Sequence, residues 1–304
     1  MKRWPLLIVV FMVLTVGMGA LSLFTGSSPA SIYSSLHQPS SLEGIPSSSV
    51  LGGKPCNCSA TVRSSSVTTI SSQHLQPLPT LRYRDQLGMY MNQETSVEYK
   101  IGAELGVQRG IFSRRMMEVW PKSTEYWLVD LWSQQANYTD AANMDNETQE
   151  TIYETALRKT KQWEHKIKIC RGYTSTCAPK FQDGYFDFIY VDARHDFKGV
   201  LVDMDEWWPK LKVGGIFAGH DYIERQDMRK RTRQDWTRNF DGTIDRTGTI
   251  VRGAVELFFT NSIWGVAEKE LVELRKLINT PQQERMRSIK LTYRDGPASW
   301  YCRK

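Results

Sequence analysis

Cysteine and histidine are scarce, five of each in 304 residues, and no pair of cysteines has a convincing zinc spacing. A structural zinc module is therefore not expected. Internal repeats are absent, which removes solenoid and propeller architectures. The G-x-G-x-x-G dinucleotide fingerprint is also missing, which weakens any nicotinamide reading. Net charge is only +6, and no basic tract suggests a nucleic-acid partner. The short cluster Arg229-Lys230-Arg231 with Arg233 reads first as a solvated loop and second as a surface for an acidic acceptor such as a uronate-bearing glycan.

Charge is missing altogether between residues 4 and 24, WPLLIVVFMVLTVGMGALSLF. As a helix this run would rise about 31 Å, enough to cross a bilayer. A cleaved signal peptide is the rival, with Gly17 to Ala20 offering small residues near a cut, but its apolar region would be only ~7–15 residues. Lys2 and Arg3 would keep residues 1–3 in the cytoplasm and direct the rest into a lumen. Residues 25–80 hold sixteen serines and three charged side chains, Glu43, Lys54 and Arg63, so they are expected to form a flexible stalk. Glycosylation sequons occur at Asn57, Asn137 and Asn146. Together these describe a single-pass type II membrane protein of the secretory pathway, Golgi-type by architecture. The cysteines suit that oxidising compartment. Cys56 and Cys58 fall in the stalk, where an intermolecular bridge and hence an oligomer is conceivable, Cys170 and Cys177 could close a small loop, and Cys302 lies near the end.

From residue 81 to 304 strand and helix signals alternate. Helices are expected at 81–93, 108–118 and 148–163, and strands at 100–104, 126–130, 165–170, 186–191 and 213–219. Phe197, Val200, Leu201, Met204, Trp208 and Leu211 recur at helical spacing, with Asp196 as the cap and Gly214-Gly215 as the turn into the next strand. Trp207 and Trp208 are expected in the core, with sugar-stacking surface aromatics as the alternative. Repeated βα units predict an α/β, Rossmann-like, mostly parallel sheet with helices on both faces. Ligands in such sheets bind beyond the carboxyl ends of the strands. Glu104, Asp130, Asp192 and Asp221 all fall at expected strand ends.

The first of these ends reads AELGVQRG. Gly106 would permit close backbone approach, Gly110 would let the following helix pack near the sheet, and Glu104 suits a cationic ligand. Asp130 is placed to accept from ribose hydroxyls. With YWLVDLW and the long segment FDFIYVDARHDFKGVLVDMDEWWPKLKVGGIFAGHDY, residues 97–304 resemble a class I S-adenosylmethionine-dependent methyltransferase of the branch called methyltransferase family 24. RGAVELFF and SWYCRK look like that branch as well. The resemblance implies a seven-stranded sheet with an antiparallel last strand, a cofactor turn made by Glu104, Gly106 and Gly110, and Asp130 on the cofactor ribose.

The central segment is also similar to that of macrolide-sugar O-methyltransferases. Asp192 and His195 match their D-x-x-H, and Asp221 matches one of their acidic pair, whereas His220 stands where a carboxylate is usual. The resemblance implies a divalent ion, magnesium or manganese, held by Asp192, Asp221 and His220. Methyl transfer to an alcohol needs a base, a metal, or both, and His195 is the expected base, with Asp192 beside it. The expected acceptor is a glycan or small polyhydroxyl compound. Two rival classes stand beside this reading. One is a type II glycosyltransferase, because DMD at 203–205 has the D-x-D form, although a helix would point those carboxylates about 200° apart. The other is an inactive methyltransferase-like interaction module.

Overall fold

The structure, a computed structural model, describes residues 77–232 and 234–304. The expected membrane segment 4–24, nearly all of the stalk, the sequon at Asn57, and Cys56, Cys58 and Arg233 lie outside the described residues. Among the described residues no helix is long and apolar enough to cross a membrane. The described residues form one compact unit.

Seven strands make one sheet in the order β3-β2-β1-β4-β5-β7-β6. They are β1 (Ile101–Leu105), β2 (Glu125–Asp130), β3 (Ile167–Arg171), β4 (Phe186–Val191), β5 (Leu211–Gly219), β6 (Lys290–Leu291) and β7 (Trp300–Arg303). β1 to β5 run parallel, and β7 pairs antiparallel with both β5 and β6. Strand order reverses between β1 and β4, and this is the crevice where such folds place ligands.

All six residues of β4 are buried, as expected for a central strand covered on both faces. Phe186, Ile189 and Val191 join a cluster containing α5 (Phe197–Trp207) and α7 (Val251–Thr260). Phe188 and Tyr190 join the opposite cluster with α1 (Gln86–Gln93), α2 (Ile111–Val119) and α3 (Asn146–Thr160). Asp187 is the polar exception. Between the pairs Phe186–Leu211 and Phe188–Ile216, this one residue of β4 faces four of β5, so β5 bulges away. The carboxylate fills the gap, accepting the amides of Lys100 and Ile101 at 2.8 Å and the Lys212 ammonium at 2.7 Å.

Several expected boundaries move for local reasons. α2 begins at Ile111, three residues late, because Gly106, Gln108 and Gly110 all take positive φ and cannot be helical. Leu211 is not on the α5 face but opens β5, and Gly214-Gly215 are not the turn but part of its bulge. The chain ahead of α1 is irregular to Asp85, where Leu81 donates to the Tyr301 hydroxyl at the far end of the sequence. α4 (Thr174–Cys177) follows β3, and the disulfide Cys170–Cys177 closes that loop. α6 (Arg225–Thr232) follows β5. Cys302 is free and buried.

Candidate active site

Three features meet at the carboxyl ends of β1, β2 and β4. Gly106 has φ +85°, and a Cβ on it would fall 2.0 Å from the Asp192 carbonyl oxygen, so the turn after β1 and the end of β4 are in backbone contact. Asp130 builds this turn: one carboxylate oxygen accepts the amides of Val107 and Gln108, both at 2.8 Å, and the other accepts that of Trp132 at 2.9 Å. The indole of Trp132 then donates to the Gln108 carbonyl. The sequence suggested a ribose ligand for Asp130; the protein takes three of its roughly four acceptor directions and leaves one.

Glu104 lies deeper than its place at a strand end suggests. It is 2% exposed and accepts from Ser113 Oγ at 2.7 Å and Tyr126 Oη at 3.2 Å. Burial pushes its carboxyl up to about 8, with the Ser113 hydrogen bond opposing and the nearby Asp192 charge adding to the rise. It therefore stands under the turn, within the core, rather than as an open anionic patch. Gly110 does allow close packing, but the partner is α3: its missing Cβ would lie 3.1 Å from Ala156 Cα.

The second assembly is the one that DARHD and HDY foreshadow. Asp192, His195 and Asp221 each present one ligand atom within 4.8 Å of the others. His195 Nε2 lies 3.4 Å from Asp192 and 3.2 Å from Asp221. Its Nδ1 faces Tyr138 Oη at 2.8 Å and Asp140 at 3.2 Å, and Trp236 stacks on the ring with centroids 4.3 Å apart. Burial alone would favour the neutral ring, but hydrogen bonds to Asp140 and Asp192 and the Asp221 charge raise its pKa well above the usual histidine range. Oxygen atoms on both sides of the ring fix its orientation between Asp140 and the two site carboxylates.

His220 stands apart from this trio. Its Nδ1 is 3.2 Å from its neighbour Asp221 but 4.0 Å from Asp192. The close grouping with the two carboxylates is therefore made by His195, with His220 beside it. Burial opposes the charge on Asp221, yet the His220 hydrogen bond and the His195 charge hold its carboxyl down at about 2. The residue has φ +53°, a left-handed conformation that aspartate tolerates at modest cost. That turn follows directly on β5, because His220 donates its amide to Val191 and Tyr222 donates its own to Ala298.

Arg84, Tyr138, Asp140 and Trp236 were not legible as site residues. All four come from irregular segments with no periodicity to mark them. The Arg84 guanidinium sits 3.4 Å from Asp192 and 5.0 Å from the Phe112 ring centre. Asp196 behaves as expected: it caps α5 through the Gly199 amide, and also holds Arg194 at 2.6 Å. Trp207 and Trp208 are buried in the core.

The D-x-D at 203–205 is helical and committed elsewhere. Asp203 accepts from Thr174 at 2.5 Å, while Asp205 accepts the amides of Asn279 and Thr280. The two carboxylates serve different neighbours and do not form a metal grip. In the basic cluster, Arg229 pairs with Asp235 and Lys230 with Asp227.

Known proteins share parts of this chain. An uncharacterized protein of Sinorhizobium fredii is 24% identical over 106 residues, which is 34% of this chain and 11% of that relative's length. A solved structure from Corynebacterium glutamicum overlaps 75% of this chain and 83% of its own at 10% identity and TM-score 0.41. An O-methyltransferase family protein from Burkholderia thailandensis overlaps 71% and 55% at 9% identity and TM-score 0.39. A family model described as a methyltransferase domain matches residues 103–222. That match opens on β1 and closes one residue beyond Asp221, taking in the Gly106 turn and all three members of the trio. On that ground residues 103–222, with the whole candidate site inside them, are similar to a methyltransferase domain.

Proposed function

We propose that the protein transfers a methyl group from S-adenosylmethionine to a hydroxyl of a glycan or other polyhydroxyl acceptor in the lumen of the secretory pathway. The observation that carries the reading is the meeting of Asp192, His195 and Asp221 beside the Gly106 turn. S-adenosylmethionine supplies an already activated sulfonium methyl group, so the chain has to bind, orient and deprotonate the acceptor. The close turn at Gly106, shaped by Asp130, gives the donor a place against bare backbone, and the remaining acceptor direction of Asp130 suits a ribose hydroxyl. Gly110 and the buried Glu104 hold that turn from behind.

Two carboxylates and an imidazole fit a hard divalent ion, magnesium or manganese. Asp192, Asp221 and His195 would hold it, with His220 next to Asp221. Such an ion lowers the pKa of a bound hydroxyl. The same three side chains also confine the acceptor near the donor turn, and positioning of this kind is worth ~7–11 kcal/mol of barrier. His195 ties the trio to Asp140 and Tyr138, so its orientation is fixed. The luminal address rests on the apolar run at 4–24, the serine-rich stalk and the sequons, and the disulfide Cys170–Cys177 suits it.

Calorimetric titration of the full-length chain with S-adenosylmethionine and with UDP-sugars tests this reading. Binding of S-adenosylmethionine alone is expected, and binding of UDP-sugars alone would replace the reading with a glycosyltransferase.

A further inference from the structure

A cleft of about 400 Å³ opens next to the trio, within the size range of small-molecule sites. One wall is the chain directly after Asp221, with Tyr222 and Glu224, joined by Asp227 of α6 and Arg252 of α7. The other is the segment before β7, with Tyr293 and Asp295. The Tyr222 amide donates to Ala298 at 2.9 Å and fastens the two walls together. No member of the trio lines this space.

The chemistry of the walls narrows the occupant. Glu224, Asp227 and Asp295 outnumber the two cations Lys230 and Arg252, so the cleft has no net positive field for a phosphate. The polar side chains do not suit a lipid. Donors and acceptors are interleaved instead: Arg252 reaches Glu256 at 2.8 Å and Glu224 at 3.7 Å, and Tyr222 Oη donates to the same Glu256 at 3.0 Å. Hydroxyl groups, which donate and accept at once, match such a wall.

Aromatic surface is also present. Tyr293, on the cleft wall, is 60% exposed. A large aromatic side chain left bare in a wall that also carries Asp295 offers a stacking face for the C–H side of a sugar ring, with the hydroxyls going to the acids. The cleft is mechanically tied to the trio. Asp295 accepts the Arg84 amide at 2.9 Å, and the Arg84 guanidinium reaches Asp192.

We propose that this cleft is a sugar subsite, holding a neutral ring of the acceptor adjacent to the ring that is methylated. The proposal rests on the methyltransferase reading above and names the part of the acceptor that reading leaves open. It also moves sugar stacking away from Trp207 and Trp208, which are buried.

Saturation-transfer NMR tests it, using the full-length chain in a sugar-free detergent. The probes are the methyl glycosides of galactose, glucose, mannose and N-acetylglucosamine, with spermidine and inorganic phosphate as rivals. Saturation of at least one glycoside is expected. It should fall at least fivefold in Tyr293→Ala and return in Tyr293→Phe; the exposed position of Tyr293 makes both variants safe for folding. Three results would overturn the subsite: no glycoside saturates, Tyr293→Ala saturates like the parent, or only spermidine or phosphate binds. S-adenosylmethionine binding, measured in parallel by calorimetry, should stay within twofold in both variants, so a failed donor site and a failed cleft give different results.

Discussion

The methyl group that Gly106 lacks would overlap the main-chain oxygen of Asp192, 2.0 Å away. Two strand ends that are 86 residues apart in sequence therefore share one van der Waals boundary, and neither can move alone. Gly106→Ala should lose roughly 1–3 kcal/mol from the forced backbone shift and about 1 kcal/mol more from the left-handed φ. Urea unfolding measures the first effect. Calorimetry should show S-adenosylmethionine binding weakened at least tenfold, and a variant that binds normally would separate the turn from the donor site.

A divalent ion gives the next test. Adding the protein to manganese should quench the paramagnetic resonance of the free ion. Asp192→Asn and Asp221→Asn should each weaken binding by at least about tenfold, the lower bound for losing even an outer partner of a ligand. His220→Ala should weaken it less, because His220 lies outside the trio. Equal losses for all three variants would return His220 to the ligand set.

The pH dependence of stability should carry the mark of Glu104. Burial raises its carboxyl from 4.5 to about 8, so between those values the folded chain holds a proton that the unfolded chain has lost. Stability is then fully present below pH 4.5 and declines as pH rises toward 8. Glu104→Gln, which keeps the shape and the Ser113 contact, should flatten this decline and stabilise the chain at pH 8. Denaturant midpoints at pH 5, 6.5 and 8 decide it; parallel slopes for parent and variant would refute the assignment.

Two of the three sequons lie on the described surface, and they differ. Asn137 and Asn146 are both exposed, but the side-chain nitrogen of Asn137 donates to the Phe240 carbonyl at 3.3 Å, whereas Asn146 is held by its oxygen, which accepts from Ser133 and Gln134. A glycan attaches to that nitrogen. In secretory cells Asn146 should be occupied more fully, and Asn146→Gln should remove more of the glycosidase-sensitive gel shift than Asn137→Gln. A chain with no shift at all would remove the luminal address.

Much of the sheet was legible because its parallel strands are written as short apolar runs that end in an acid. Phe186–Val191 matches its expected bounds, and the helix face at 197–208 was set by period alone. The boundaries that moved are those where backbone conformation, not hydrophobicity, decides: positive φ delays α2, and the bulge takes Leu211 and Gly214-Gly215 into β5. At the site, Asp192, His195 and Asp221 announced themselves by position. Their roles did not, because protonation and ligand geometry depend on partners such as Asp140 and Arg84, brought in from irregular segments 55 and 108 residues away.

The bulge where Asp187 faces four residues of β5 bears on how coding changes would be tolerated. Side chains in a strand alternate faces, so losing one codon at 216–219 would swap Ile216, Phe217 and Ala218 between the two packed layers and turn Asp221 away from Asp192. Losing one at 212–215 leaves the same paired register above it, since the bulge holds slack to take up. A single-codon deletion scan should therefore change from mild to severe within a few positions of β5.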